Sequence, residues 1–397
     1  MRVDLGNLAF ERGGVLLVKR ALRLAAASEP VTVAGTHPDL TIHLRAWCRN
    51  EGHELLPPAN AGGESQILCG PAGQQRWSGA ERAGAADPHR SGAVVEHPPR
   101  HWGLAGRSAL VEGGAPEFRF QLDRKVEVWS GDAARMYAQA AAAQWDPATA
   151  VLWSAPFDLP LEVEDAVVQV MTYLIENETA ALVVPSRFVA QMHPHFREVM
   201  QVLAIQAADE ARHIEVFTRR ALLKRPALGL STAGGQASLQ TLVDEPDFAV
   251  AAFLLSVLGE GTFLNLLWFL DRFAPDPVTR AVCRLAAQDE ARHVGFGMSH
   301  LKEHLAAMPE MRETLMNAVR RRHESLRHTA GLNTEVFDAL VLLAAGSWDH
   351  SEIRRGYEAV SALVEEMHAG RRKRLQMLGF SEADSEEMSA LHTRNFM

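Results

Sequence analysis

The pentapeptide DEARH occurs twice in this chain, 80 residues apart. Residues three positions apart share one face of an α-helix, so each copy places a glutamate beside a histidine. The pairs are Glu210 with His213 and Glu290 with His293. Each pair lies on a largely apolar stripe, where an unpartnered carboxylate and imidazole would be costly to bury. A metal ion would supply the partner, because carboxylate oxygen and imidazole nitrogen together suit iron, manganese or zinc.

An acidic residue also precedes each copy, within another segment of helical pattern. Before the second copy, Glu260 is the only charged residue in the apolar run FLLSVLGEGTFLNLLWFL. Before the first copy, VVQVMTYLIENETAALVV offers Glu176 and Glu178. These two lie about 200° apart around a helix, so only one of them can face the core. Glu178 shares its face with apolar residues and is favoured, while Glu176 stays open as the alternative.

The chain therefore shows a glutamate followed about thirty residues later by Glu-x-x-His, and then the same order again. This order is typical of four-helix di-metal carboxylate sites, in which two helices each give a Glu and two each give Glu-x-x-His. A single copy would be more typical of exposed salt bridges on a helix surface, so the prediction depends on both halves being present. The predicted metal ligands are Glu178, Glu210, His213, Glu260, Glu290 and His293.

Three regions of the chain differ in their residue patterns. Residues 1–58 alternate strand and helix signals, which predicts a small α+β (βαβαβ) domain. Residues 59–117 are rich in Gly, Ala, Pro and Ser and indicate a flexible linker. Residues 118–397 are helical in pattern almost throughout, so the fold class is mainly α, with extra helices around the four that carry the motifs. Helices are predicted at about 132–145, 162–190, 195–224, 246–273, 276–306, 310–330, 334–347 and 351–377.

The doubled motif, with a buried glutamate ahead of each copy, resembles the ferritin-like di-iron carboxylate oxygenase superfamily over residues ~130–310. The form D-E-x-R-H is similar to that of soluble di-iron monooxygenases, acyl-carrier-protein desaturases and the N-oxygenase group. The resemblance implies a ferritin-like bundle whose six ligands hold two iron ions, with a manganese–iron pair as an alternative. It also implies that Asp209 and Asp289 accept hydrogen bonds from the ligand imidazoles, and that Arg212 and Arg292 pair with these aspartates.

The N-terminal region resembles the small sulfur-carrier domains of the TusA/SirA type over residues 1–58. Those domains hold a Cys-Pro ahead of their first helix, and this chain has Phe10 and Glu11 at those positions. Persulfide chemistry needs a thiolate, so sulfur transfer is not indicated here. Cys48 falls within the second predicted helix, where we expect a buried core residue.

The bulk properties limit the partners of the protein. A net charge of -9 argues against nucleic acid and against an anionic membrane surface. The three cysteines form no CxxC, so neither a disulfide framework nor a zinc cluster is indicated. The N-terminus lacks an apolar signal core, and no apolar run is expected to reach the roughly 18 residues that span a bilayer. These features predict a cytoplasmic protein.

The function implied by the resemblance is that of a non-haem di-iron oxidoreductase that uses O2 to hydroxylate, desaturate or N-oxygenate an organic substrate. N-oxygenases of this group carry a further histidine one turn before the second motif, where this chain has Ala286. A small-molecule or carrier-bound substrate and an external electron donor are expected, because no nicotinamide or flavin fingerprint is present. A homodimer is one option for assembly. The alternatives are a ferroxidase or other iron-handling protein, a peroxide scavenger, and a non-catalytic protein stabilised by metal.

Overall fold

The computed structural model describes residues 1–26, 28–57, 64–70, 77, 79–90, 92–327 and 334–392. It separates into two units. One comprises Met1–Ala86 with Pro99–Phe118, and the other comprises Asp87–Pro98 with Arg119–Met397. The first unit is α+β, and the second is helical.

The first unit is built on a four-stranded sheet flanked by two helices. The strands are β1 (Arg2–Asp4), β2 (Val31–Ala34), β3 (Glu54–Leu56) and β4 (Ser65–Leu68), and the helices are α1 (Gly14–Leu24) and α2 (Leu40–Glu51). The strand order is β1-β2-β4-β3, with β1 parallel to β2 and with β4 antiparallel to both of its neighbours. Phe10 and Cys48 are buried in the core of this unit, together with Val18 and Leu44.

The boundary expected at residue 58 is not where the sheet ends. Strand β4 belongs to the stretch that was predicted to be a linker, and its Ile67 is fully buried between β2 and β3. A further antiparallel pair joins β5 (Glu81–Arg82) to β6 (Leu110–Val111). The described part of residues 59–117 therefore contains strands. A few apolar side chains are enough to complete a sheet, even in a segment rich in Gly and Pro. Residues 59–63, 71–76, 78 and 91 of this stretch lie outside the described residues.

The second unit is helical, as the sequence predicts. Its helices are α3 (Lys125–Val128), α4 (Ala133–Ala142), α5 (Leu161–Gln191), α6 (Arg197–Ala221), α7 (Ala233–Val243), α8 (Phe248–Phe273), α9 (Pro277–Ala307), α10 (Met311–Leu326), α11 (Thr334–Ala345), α12 (His350–Met377) and α13 (Glu382–His392). Helix α5 packs along α6, α8 packs along α9, and α6 contacts α9. These four helices surround one continuous apolar core. The fold class is therefore mainly α, with a helical bundle and a small separate sheet.

Two of the central helices are more apolar than we expected. By length and composition, α5 and α8 are both long enough to cross a membrane, which corrects the expectation that no run reaches that length. Within their most apolar windows, 67% of α5 and 89% of α8 are buried inside the protein. Burial against the neighbouring helices accounts for this composition, since a helix that is apolar on all sides is a core element.

A buried ion cluster joins three of the central helices at one end. Arg220 of α6 is fully buried and donates to both carboxylate oxygens of Glu164 on α5, at 2.6 and 3.0 Å. It also donates to Asp276 at 2.7 Å and to the hydroxyl of Thr279 at 2.8 Å, both at the start of α9. Burial alone would lower the pKa of Arg220, but its bonds to Glu164 and Asp276 raise it instead. We call this set the Arg220 cluster.

Helix α8 departs from regular α geometry in its middle. Phe253–Glu260 is π-helical, and Glu260 is the last residue of this stretch. A Cβ added to Gly297 of α9 would lie only 2.4 Å from the Cβ of Ser256. The glycine at position 297 therefore permits α8 and α9 to approach each other closely at this point. Single-turn π segments in helices are frequently found at functional sites.

Candidate metal centre

The four central helices bring all six predicted ligands into one buried cluster. Helix α5 supplies Glu178, α6 supplies Glu210 and His213, α8 supplies Glu260, and α9 supplies Glu290 and His293. None of the six side chains is more than 4% exposed. We call this set the carboxylate cluster.

The donor atoms of the carboxylate cluster fall into two groups of four, and within each group they lie within 4.8 Å of one another. The first group is Glu178, Glu210, His213 and Glu290, and the second is Glu210, Glu260, Glu290 and His293. Glu210 and Glu290 belong to both groups. The arrangement therefore offers two adjoining positions for a metal ion, with one terminal glutamate and one histidine at each.

The two shared glutamates face both positions at once. His213 Nδ1 lies 3.2 Å from Glu210 Oε2 and 3.4 Å from Glu290 Oε1. His293 Nδ1 lies 3.0 Å from Glu210 Oε1 and 3.4 Å from Glu290 Oε2. Each of these carboxylates thus turns one oxygen toward each imidazole, which is the orientation that a bridging carboxylate needs.

The unsatisfied atoms of the cluster test whether metal ions fit. Among the described residues, no hydrogen bond of good geometry reaches certain buried carboxylate oxygens of Glu178, Glu210, Glu260 and Glu290, or Nδ1 of His293, although that Nδ1 lies close to the Glu210 carboxylate. Buried carboxylates normally have strong partners, because burying an unpaired charge is costly. Two cations would satisfy these atoms, and a donor set dominated by carboxylates with one imidazole per position suits iron or manganese. The residues present therefore fit a pair of metal ions.

The electrostatics of the carboxylate cluster are those of crowded acids. Burial raises the pKa of Glu178 well above its ordinary range, and the charge of Glu210 raises it further. Burial likewise raises the pKa of Glu260, and Glu290 adds to the effect. Burial opposes charge on His213 as well, but Glu178 and the neighbouring acids outweigh it, so the pKa of His213 lies well above its usual value. Without cations, the cluster therefore retains protons that bound metal would displace.

The aspartate of each DEARH copy contacts the histidine of the other copy, at the ring nitrogen that faces away from the carboxylate cluster. Asp289 Oδ2 lies 3.2 Å from Nε2 of His213, which belongs to the other copy. Asp209 Oδ2 lies 3.2 Å from Nε2 of His293, again across the two copies. An Nε2–H that donates to aspartate leaves the Nδ1 lone pair directed at the carboxylate cluster. Each copy therefore orients the histidine of the other.

Arginine and two uncharged donors hold these aspartates in place. Arg212 pairs with Asp209 and donates to Asp289 at 3.0 Å, so it links both copies. Arg292 pairs with Asp289 and is more exposed than Arg212. The sequence did not indicate the two uncharged donors, which follow α4. Gln144 donates to Asp209 at 2.8 Å and Trp145 donates to Asp289 at 2.8 Å.

The competing acid of the first half lies elsewhere. Glu176 is partly exposed and lines an open cavity of about 690 Å³ between α5 and α7, together with Val183 and Ala237. Glu178 faces the other side of α5, in the carboxylate cluster. The structure thus brings Glu178, and not Glu176, beside the two motifs.

One glutamine completes the surroundings of Glu260. Gln206, one turn before Glu210 on α6, donates from Nε2 to Glu260 Oε1 at 2.7 Å and is itself buried. Ala286, where N-oxygenases carry a histidine, is fully buried one turn before Glu290 and offers no donor atom. Nitrogen ligation within the described cluster is therefore limited to His213 and His293.

Comparison with known proteins yields distant structural neighbours only. No family model matches the chain, and no curated protein matches it. A variant of an R2-like ligand-binding oxidase with an aerobically reconstituted Mn/Fe cofactor is 15% identical, with a TM-score of 0.49, over 64% of this chain and 95% of that one. An R2-like ligand-binding oxidase from Sulfolobus acidocaldarius is 16% identical, with a TM-score of 0.43, over 63% and 92% of the two chains. Identities this low transfer neither ligands nor substrates to this chain.

Proposed function

We propose that this protein is a non-haem di-iron enzyme that uses O2 to oxidise an organic substrate. The observation that carries the proposal is the pair of glutamates, Glu210 and Glu290, each turned toward both imidazoles inside a fully buried site. Two adjoining metal positions that share two carboxylates suit chemistry in which both ions change charge together. Zinc sites, by contrast, are built mostly from Cys and His with an isolated ion.

Bound iron would supply the redox chemistry with O2, and the protein would supply ligands, orientation and a dry cavity. Asp209 and Asp289 lie within hydrogen-bond distance of Nε2 of the two imidazoles, and a bond donated from Nε2 would leave Nδ1 of each available to a metal ion. Gln206 fixes one oxygen of Glu260 and leaves the other free to bind. Because the six ligands are buried, water is excluded and each electrostatic interaction among them is strengthened.

The proposed substrate is a small molecule or a carrier-bound group, oxidised by hydroxylation or desaturation. N-oxygenation is less supported, because Ala286 stands where that group carries a histidine. An external donor would deliver electrons. We further propose a cytoplasmic location, a role for the first unit in docking, and a homodimer as the assembly to test.

The first experiment measures metal content and O2 uptake together. Protein purified without chelator is expected to hold two iron ions per chain, and the reduced protein is expected to consume O2. Glu210→Ala should lose both ions, because Glu210 contributes to both positions. Glu176→Ala is the matched control on the neighbouring helix and should keep them, since Glu176 lines an outer cavity. Unchanged metal content in Glu210→Ala would show that the site is assigned wrongly.

The alternative is iron handling, which a carboxylate-rich site also supports. The amount of iron loaded per chain separates the two functions. An oxidase should stop at two ions and take up O2 in proportion to the substrate oxidised. A ferroxidase or storage protein should continue to load ferric iron, in a large assembly and without any organic substrate.

A further inference from the structure

A third buried cluster of ionisable groups in the helical unit is basic, and it lies where α12 and α13 pack on α8. Arg371 of α12 is 1% exposed, and Ser385, Ser389 and His392 lie on the facing side of α13, with exposures of 0%, 0% and 6%. Arg374 follows one turn after Arg371 and is partly buried. We call these five residues the arginine cluster.

The bonds that the two guanidinium groups donate go to uncharged oxygens. Arg371 donates from Nε to Ser389 Oγ at 3.1 Å and from Nη1 to the hydroxyl of Thr262 on α8 at 3.2 Å. Arg374 donates from Nε to the carbonyl of Val257 at 2.8 Å. Guanidinium groups in a protein interior are normally paired with carboxylate or phosphate. In the part of the chain that the structure describes, neither arginine has such a partner.

Four further polar atoms of the arginine cluster are buried and have no hydrogen-bond partner among the residues that the structure describes. They are Nη2 of Arg371, Nη2 of Arg374, Oγ of Ser385 and Nε2 of His392. All four groups can donate a hydrogen bond, whereas the unpartnered carboxylate oxygens of the carboxylate cluster are acceptors. Buried donors of this kind normally have an acceptor, because leaving them unpaired costs stability.

The pKa values of the basic groups are shifted in the direction expected when cations are buried without a neighbouring anion. Burial lowers the pKa of Arg371 to about 10, and the charge of Arg374 contributes. Burial also lowers the pKa of Arg374 to about 10, so both groups are still charged at neutral pH. Burial lowers the pKa of His392 well below its usual value, and the charges of Arg371, Arg322 and Arg374 lower it further. His392 is therefore neutral and carries one N–H to donate.

A glycine makes room for this arrangement on α8. A Cβ at Gly261 would lie 2.4 Å from Nε of Arg374, so any side chain at this position would displace the guanidinium. Gly261 directly follows Glu260 in the chain. The guanidinium of Arg374 therefore lies against the backbone of the helix that carries one of the proposed metal ligands.

We propose that Arg371, Arg374, Ser385 and His392 form an internal binding site for a small oxyanion, a phosphate or carboxylate group. The two guanidinium groups supply charge and paired N–H donors, which suit the oxygen atoms of either group. Ser385 and His392 add uncharged donors that fit an acceptor-only ligand. This site is separate from the carboxylate cluster and does not depend on the proposed oxidation chemistry.

Equilibrium dialysis of the full-length protein against labelled inorganic phosphate tests the proposal, with acetate as the carboxylate probe and chloride at matched ionic strength as the reference. One saturable equivalent per chain is expected, and competition between phosphate and acetate identifies the preferred class. Arg371→Gln and Arg374→Gln should each weaken binding by roughly tenfold or more. Arg354→Gln, an exposed arginine on the same helix, is the control and should bind as the unmodified protein does.

Metal content is measured in each sample, because phosphate can also bind iron. Binding that persists unchanged in both Arg371→Gln and Arg374→Gln would overturn the proposal, since it would belong to another site. No saturable binding of either anion to the unmodified protein would also overturn it. Should a variant fail to fold, thermal unfolding of the unmodified protein in phosphate against chloride decides, with a saturable rise in Tm expected.

Discussion

Two clusters of buried charge lie among the same central helices, and they differ in what completes them. In the Arg220 cluster, a single guanidinium is held by Glu164, Asp276 and Thr279, all from this chain. In the carboxylate cluster, four glutamates and two histidines converge and leave carboxylate oxygens unpartnered. A cluster that the chain completes stabilises the fold, whereas one left incomplete is available to a ligand. Total charge alone would not distinguish them, but the unpartnered atoms do.

The largest effect that separates the two clusters is expected on stability. Arg220→Leu leaves Glu164 and Asp276 buried without a counter-charge, which should cost about 3–5 kcal/mol of unfolding free energy. Chemical denaturation measures this cost, and Arg280→Leu is the control because Arg280 is exposed. Folded Arg220→Leu protein should still bind metal. A loss below about 1 kcal/mol would mean that the cluster contributes little to the fold.

A smaller effect, on metal affinity and not on the fold, is expected from the aspartates. Asp289→Asn and Asp209→Asn should each weaken metal binding by about 10–100-fold, because an outer partner orients the ligand imidazole. The crossed contacts predict which position responds, since Asp289→Asn should affect the ion at His213 and Asp209→Asn the ion at His293. Spectroscopic titration with Co²⁺ can follow the two positions separately. If each substitution instead weakened binding of the ion at the histidine of its own DEARH copy, the crossed arrangement would be contradicted.

The mildest perturbation, which changes no residue, is a change of pH, and metal affinity is expected to depend on it. Because the pKa values of Glu178 and Glu260 are raised, these groups keep their protons to higher pH in the metal-free protein, and metal must displace any proton still bound. Apparent affinity should therefore rise with pH, by up to about tenfold per pH unit for each proton released, and should level off above the raised pKa values. Competition with a chelator across the neutral range measures this slope. A flat profile, or an affinity that falls as pH rises, would show that the acids are already ionised.

Much of the helical architecture can be read from the sequence, because apolar periodicity and Pro or Gly breaks mark long helices well. The elements that the sequence does not predict are short helices and strands. Helix α7 lies between the helices predicted at about 195–224 and 246–273, where the sequence predicted none. Thr232 caps its start by accepting from the Gly235 amide, and the buried Gly234 and Gly235 let it pack closely. Strand β4 went unpredicted because its strength comes from pairing with β2 and β3, which a local pattern does not show.

In the candidate site as well, positions set by local helix geometry can be predicted from the sequence, whereas contacts between helices cannot. The spacing of Glu210 with His213 fixes one helix face, and the apolar stripe around Glu178 separates it from Glu176, so these placements follow from helix geometry. The crossed partners of the aspartates depend on how α6 and α9 face each other. Gln144 lies 65 residues from Asp209 and Trp145 lies 144 residues from Asp289, and no local pattern connects them.

The crossed contacts between aspartate and histidine make the two halves of the site depend on each other. Each half carries the positioning group for the other half's histidine, so either copy of DEARH alone would lack the aspartate that contacts its own histidine. A substitution of the aspartate in one copy is therefore expected to act at the ion held by the histidine of the other copy. A chain severed between α7 and α8 would yield two fragments whose reassociation could be followed by recovery of the metal site.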